Sequence, residues 1–293
     1  MRLTVTTLHL GLGAGLLAVG LMALPLAPRA QAVDAPRVVT LGGAVTEIAV
    51  ALGAEDQLIA RDSTSTYPAS VMDLPDVGYV RALSPEGVLS VAPDLILSEQ
   101  GAGPAEAIAV LEAAGVEFVT MPDDPTPQGV LDKIDAVAMA LRLPAEGAAL
   151  KTEVAAGLDA AQARADTVTD RQRVLFVLSL QGGRVMAGGE GSSAEGIITL
   201  AGGVNAATGF QGYKQMTDEA VIAAAPDLIL MMDREGDLSI TAEDVQAHPA
   251  LGLTPAAEKG RIVRMNGMLL LGFGPRTPEA ATALYDALYQ AEG

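Results

Sequence analysis

The chain has 293 residues, half of them hydrophobic and only 3% aromatic, with no cysteine and no tryptophan. That length holds one large domain or two of ordinary size, and that apolar fraction excludes wholesale disorder. With 36 acidic residues against 18 basic ones, a net charge of −18 argues against nucleic acid and anionic membrane surfaces as partners.

In chain order, residues 1–32 read as a secretory signal peptide. Arg2 opens it, a Leu/Gly/Ala-rich run extends from Leu8 to Leu26, and Ala30-Gln31-Ala32 offers a small-x-small cleavage site. Its removal takes away Arg2, Arg29 and His9 but no acid, leaving 16 basic against 36 acidic residues, a net charge of −20. No cysteine is present to carry a lipid or form a disulfide. The expectation is a free, monomeric protein of a Gram-negative periplasm.

Arg37–Leu41 is a short buried-strand pattern, followed by Gly42-Gly43 and a helix over Thr46–Leu52. Leu58–Ala60 is a second strand leading into the loop RDSTSTYPAS (61–70). Ser84–Val91 reads as helix, Leu95–Leu97 as strand, Ala105–Ala114 as helix and Glu117–Thr120 as strand. Strand and helix alternating at this spacing predict a parallel α/β sheet. Gln128–Leu141 is helical, and a longer helix from Ala145 to Thr167 is interrupted only by Gly147 and Gly157. At about 1.5 Å per residue it spans roughly 30 Å, the width of a small domain.

Arg173–Ser179 then restarts the alternation, and a repeat becomes visible. LSPEGVLSVAPDLIL at 83–97 aligns with MTDEAVIAAAPDLIL at 216–230, eight identities in fifteen at an offset of 133. The implied fold is α/β: two Rossmann-like lobes with parallel sheets, 33–125 and 171–293, joined by one long rigid helix within 126–170. Pro-Asp-Leu-Ile-Leu is core, a helix stop followed by a strand covered on both faces. Glu86 and Glu219 each fall in the first turn of a helix, where a carboxylate favours the positive end. Their equivalence in the two lobes marks them as a matched pair of surface acids.

Catalytic signatures are sparse. After signal removal His248 is the sole histidine, within the Pro/Gly-bounded AHPALG, and is expected to be solvated. No G-x-S-x-G elbow or P-loop occurs, and GGEGSSAEG (188–196) lacks the lysine and spacing of a phosphate cradle, so it reads as a turn before a helix. The few cations stand near predicted strand ends, where α/β proteins place ligands: Arg61, Arg81, Lys214 and Arg276. A ligand bearing carboxylates would use them.

RDSTSTYPASVMDLPDVGYVRALSPEGVLSVAPDLIL, NAATGFQGYKQMTDEAVIAAAPDLIL and MLLLGFGPRTPEA resemble the periplasmic hemin-binding proteins of bacterial ABC importers. The wider relatives are the vitamin B12 and iron–siderophore binding proteins. The resemblance covers essentially the whole chain beyond the signal. It implies a protein that performs no reaction: it captures ferric haem between the lobes and delivers it to a permease dimer, with an outer-membrane haem receptor system upstream. By match to the TSxYP loop, it makes Tyr67 the axial ligand of the haem iron, with Ser65 and Thr66 beside it. A phenolate is a hard anionic donor suited to Fe(III). Free tyrosine ionises near pH 10, so iron or a guanidinium must stabilise the charged form. Some family members place an arginine two residues after the tyrosine, and Ala69 stands there in this chain. Arg81 or Arg276 is then the candidate, or iron acts alone.

Some members also use a second-lobe histidine, and SLQGGRVMAG (179–188) has none. A single-tyrosine, five-coordinate site is expected, with Met186 or Gln181 at most lining its distal face. Tyr79, Arg81, Tyr213, Lys214 and Arg276 are pocket candidates from both lobes, and Glu86 and Glu219 match the acids that dock on the permease. The alternatives are a corrinoid or ferric-siderophore binder on the same scaffold, and an exported enzyme using His248 as base.

Overall fold

A computed structural model of the chain describes residues 2–4, 7, 35–233 and 240–290. Apart from those first four, the expected signal segment lies outside the described residues.

The first sheet is built from strands β1 (Val38–Leu41), β2 (Leu58–Arg61), β3 (Leu95–Glu99) and β4 (Glu117–Met121). They lie in the order β2-β1-β3-β4, all parallel. Helices α1 (Gly43–Ala51), α2 (Pro85–Leu89) and α3 (Ala105–Ala113) make the connections, and α4 (Pro127–Ala140) follows β4. Side chains alternate across a strand, so each strand feeds two cores. Val38, Leu95 and Leu97 enter one with α1 and α4, while Val39, Leu41 and Ile96 enter the other with α3. Burial on both faces is why these strands read as unbroken apolar runs.

The second sheet contains β5 (Arg173–Ser179), β6 (Val185–Gly188), β7 (Val204–Asn205), β8 (Tyr213–Met216), β9 (Leu228–Asp233) and β10 (Ile262–Asn266). Its order is β10-β9-β5-β6-β8, with β7 pairing β5. β9, β10 and β7 run parallel to their neighbours, but β6 is antiparallel to both β5 and β8. The second sheet is therefore mixed, not parallel as expected. β6 turns straight back from β5 through residues 180–184, a connection too short for the crossover a parallel strand needs. Helices α6 (Ser193–Leu200), α7 (Asp218–Ala224), α8 (Ala242–Ala247), α9 (Pro255–Glu258), α10 (Gly267–Leu271) and α11 (Thr277–Tyr289) complete this half.

The repeat extends to backbone detail. Ser84 and Thr217, 133 residues apart, cap α2 and α7 by accepting from Gly87 N and Ala220 N. Ala92 and Ala225, at the same offset, are both left-handed (φ 49° and 41°) just before the proline that leads into β3 or β9.

The long helix α5 (Pro144–Asp166) has 23 residues, about 35 Å at 1.5 Å per residue. It does not stand free between the lobes but packs along α4 and α11. Its buried stripe is Gly147, Val154, Leu158, Ala161 and Ala165. The two glycines have separate partners. A Cβ at Gly147 would come 2.4 Å from Ala138 Cβ on α4, and one at Gly157 would come 2.9 Å from Pro278 Cβ on α11. Glycine's cost in a helix interior is offset by close approach on both sides.

One hydrophobic core is common to both sheets. Val45 and Ile48 of α1, Ile134 of α4 and Leu158 of α5 share it with Phe176 of β5, Leu230 of β9 and Leu284 of α11. Truncating a fully buried residue such as Phe176 would cost about 3–5 kcal/mol. Sheet to sheet, the lobes are joined through packed side chains and not by a linker alone.

Candidate functional site

The loop after β2 is organised by Asp62, which is fully buried. Its Oδ1 accepts from Gly42 N (3.0 Å) and Ser65 Oγ (2.7 Å), and its Oδ2 from Thr64 N (3.0 Å), Thr64 Oγ1 (2.8 Å) and Val80 N (3.3 Å). An aspartate taking the N–H two residues on is ordinary turn chemistry. Here it also ties the loop to the start of α1 and to Val80. Arg61 braces the other side, donating to Val71 O (3.1 Å), Asp62 O (3.0 Å) and Asp76 Oδ2 (3.2 Å). Arg61 is buried and committed to the scaffold, and so is not a ligand-facing cation. Ser65 is fully buried, bonded to Asp62 and to Thr46 Oγ1 at 2.6 Å. Expected beside the ligand, it faces inward because its hydroxyl satisfies the buried carboxylate.

Thr66 and Tyr67 are among the residues the loop presents outward, Tyr67 being 46% exposed. The Arg276 guanidinium covers the Tyr67 ring, 3.6 Å from its centroid. Arg276 precedes α11 and is held from α1: Nε donates to Glu47 Oε2 at 2.9 Å and NH2 to Glu47 Oε1 at 2.5 Å. Those hydrogen bonds, the largest influence on it, raise the arginine's pKa further. Bidentate pairing fixes the guanidinium plane, which leaves its face for the tyrosine. Of the two arginines proposed as the partner of Tyr67, Arg276 is the one in contact. Glu47 was not anticipated, although a lone acid in the apolar helix GAVTEIAVA is the signal that could have shown it.

Arg81 lies elsewhere on the rim. Its side chain is 59% exposed and its NH2 stands 4.0 Å from Glu99 Oε1. It is near enough to Tyr213 of the second lobe to favour that tyrosine's anion, although burial outweighs it and raises the Tyr213 pKa. Tyr213 Oη hydrogen-bonds with Ser193 Oγ at 2.7 Å, and its ring meets Phe176 edge-on at 6.3 Å. Register decides which neighbours share that face. Gly188 pairs Tyr213 and Met186 pairs Gln215, so Tyr213 and Met186 point the same way. Lys214 points to the opposite face with Val185, Ala187 and Met216. The expectation that Tyr213 and Lys214 both enter the cleft is corrected by this alternation. Tyr79 is half exposed on the first-lobe side, and Gln181 is exposed in the turn after β5.

Beside Arg81, Glu99 ends β3 and Asp123 follows β4. Lys133 of α4, 1% exposed, donates to Asp123 Oδ1 (2.5 Å) and across to Gly272 O of the other half (3.3 Å). Burial, then Asp123 and Asp62, push the Glu99 pKa up to about 7, against the pull of Arg81 and Lys133.

His248 is buried rather than solvated. Its Nδ1 accepts from Ala250 N and Leu251 N, so the proton sits on Nε2, which donates to Gly183 O at 3.2 Å. With both ring nitrogens engaged it fastens a turn, and it offers no free base. The segment 188–196 is a turn closed by Glu190 and Glu195 and capped by Ser192 at the start of α6, as expected. Glu86 and Glu219 are exposed in matching first turns. Their own backbone N–H groups, then the Ser84 and Thr217 hydroxyls, hold both carboxyls below the usual range.

Two α/β sheets bridged by a long helix, with a tyrosine-bearing loop at the carboxyl ends of the strands, define a substrate-binding protein of the helical-backbone type. The chain belongs to the periplasmic binding protein family, whose model matches residues 38–268. It is similar to the solved periplasmic heme-binding protein BhuT in complex with two hemes, at 39% identity and TM-score 0.82 over 87% of this chain and 98% of that one. The apo periplasmic heme-binding protein RhuT from Roseiflexus sp. RS-1 is similar at 37% identity and TM-score 0.83, over 88% and 99%. Among curated relatives, the vitamin B12-binding protein of Vibrio campbellii is 27% identical over 74% of this chain and 78% of its own length.

Proposed function

We propose that the protein captures ferric haem through Tyr67 and delivers it to an ABC importer. The observation that carries this reading is the exposed Tyr67 phenol, held on the Asp62-braced loop with the Arg276 guanidinium against its ring. The guanidinium stacked on the ring fixes its orientation, so the exposed phenol oxygen is presented in one direction. Arg276 is bound to Glu47, so it positions the ligand tyrosine, and the exposed Arg81 is the cation left for the haem carboxylates. Met186 and Tyr213 share the second-lobe face, and Tyr79 and Thr66 are exposed on the first. The likeness to BhuT and RhuT supports haem as the cargo.

Further parts of the reading are export through residues 1–32, a two-lobe division at 33–125 and 171–293 about the 126–170 segment, and docking of Glu86 and Glu219 on the two permease subunits. No helix among the described residues is long and apolar enough to cross a membrane.

Titration with hemin, followed by visible absorption, tests the ligand assignment. Tyr67→Phe keeps the ring under Arg276 and removes only the oxygen. It should change the spectrum of the bound haem and weaken binding by at least ~tenfold, about 1.4 kcal/mol. An unchanged spectrum and affinity would remove Tyr67 from the iron. The similarity to a vitamin B12-binding protein favours one second reading, a corrinoid ligand; cobalamin binding in place of hemin would select it.

A further inference from the structure

Glu99 has no task in the haem reading as it stands, although it lies on the same rim. Its side chain is only 18% exposed, and among the described residues it accepts no hydrogen bond from the protein. Gly42 presses on it from behind, where even a Cβ would come 2.5 Å from Oε2. The charged groups around it come from four elements. Asp62 approaches from the loop after β2 and Asp123 from the end of β4. Lys133 of α4 is engaged by Asp123 and Gly272 O. Arg81, from the segment before α2, is the remaining cation, 4.0 Å away and itself largely in solvent. A mostly desolvated carboxyl with no donor to it and two like charges nearby is better placed as the neutral acid.

We propose that Glu99 is a binding residue of this cleft that carries a proton: as the neutral acid it donates its O–H to a carboxylate of the ligand and leaves Arg81 to pair with that carboxylate. This rests on the haem reading, because it needs a cargo with carboxylates. The neutral acid has a proton to donate, and a ligand carboxylate is an acceptor for it. The ionised form would instead repel that carboxylate and compete for Arg81. Its upward-shifted pKa, about 7, places the choice in the neutral range. An entering carboxylate adds to the field of Asp62 and Asp123, so the bound state holds the proton more firmly. Below pH 6 Glu99 already carries it, and above pH 7 binding must take one from solvent. Affinity attributable to Glu99 therefore falls about tenfold between pH 6 and pH 8. Iron binding to the Tyr67 phenol releases a proton and acts in the opposite direction, equally in any Glu99 variant.

The experiment is hemin titration of the wild-type protein and Glu99→Gln at pH 6, 7 and 8, with folding followed by far-UV circular dichroism. The expected result is that the ratio of wild-type Kd to variant Kd rises about tenfold from pH 6 to pH 8. A constant ratio overturns the proposal and leaves the haem reading intact, whereas no hemin binding at any pH overturns both. A second measurement needs no variant: calorimetry in buffers of different ionisation enthalpy counts protons bound with hemin. Uptake should rise by about one between pH 6 and pH 8 in the wild-type protein, and an unchanged count refutes the role of Glu99.

Discussion

Glu47→Gln is the sharpest probe of how the two halves are held in register. The substitution keeps the side-chain volume and one acceptor but removes the charge that Arg276 meets in two hydrogen bonds of 2.5 and 2.9 Å. Glu47 is 8% exposed and the Arg276 side chain 20%. Removing one partner of a buried pair costs about 3–5 kcal/mol, because the other charge stays desolvated. One edge of Arg276 reaches water and rehydrates, so a loss of about 2–3 kcal/mol is expected here. With a urea dependence of ~3 kcal/mol/M for a chain of this size, the unfolding midpoint should fall by roughly 0.7–1 M. The cycle is closed with Arg276→Met and the double variant. Since each single change already destroys the pair, the double loss should be smaller than the sum of the singles by about 2 kcal/mol. A Glu47→Gln midpoint within error of wild type, or strict additivity, would refute the claim that this pair clamps α1 to the segment before α11.

Three further outcomes follow from the same geometry. Asp62→Ala strands the N–H groups of Gly42, Thr64 and Val80, so it should destabilise the fold by about 3–5 kcal/mol and weaken hemin binding through displacement of Tyr67; stability measured by urea unfolding checks the first part. Glu99 has a folded pKa of about 7 against 4.5, so the folded state binds the extra proton between those values. Its contribution is complete below pH 4.5 and is lost as pH rises through 7. Glu99→Gln should therefore gain on the wild type by about 3 kcal/mol from pH 4.5 to pH 8, as read from paired unfolding curves. Reversing Glu86 and Glu219 to Arg should abolish uptake in a reconstituted importer while hemin titration stays as in the wild type, and retained uptake would end the docking assignment.

Much of this fold can be read locally. Apolar runs located β1, β3 and β5 to within a residue or two and the start of β9, because strands buried on both faces leave no polar position. The 133-residue repeat brought out the paired acids Glu86 and Glu219, but not the paired caps Ser84 and Thr217 beside them. Strand direction is a different matter. β6 and β8 are four residues each, and nothing in their side-chain period distinguishes antiparallel from parallel. The candidate site divides in the same way. Tyr67 stands out in its own loop, whereas Glu47 meets Arg276 across 229 positions and Lys133 meets Gly272 across 139. Such polar partners are chosen by tertiary packing, and only an acid or a lysine in an apolar helix hints that one is needed. Ser65 and His248 failed for a related reason: a hydroxyl or an imidazole in a loop faces water or a buried acceptor with the same neighbours in sequence.

The core common to the two sheets bears on how cargo is taken up and surrendered. Swinging one lobe away from the other would wet Val45, Phe176 and Leu284, each fully buried, at about 1.5–3 kcal/mol apiece. Loading that avoids such a swing leaves the affinity undiminished by the cost of reaching a different shape. A frame tied through that core resists changing the spacing of its two exposed acids, Glu86 and Glu219. A partner docking on Glu86 and Glu219 as proposed would gain little from the gap between them, and the rim, where Tyr67 and Arg81 stand, is where occupancy would show.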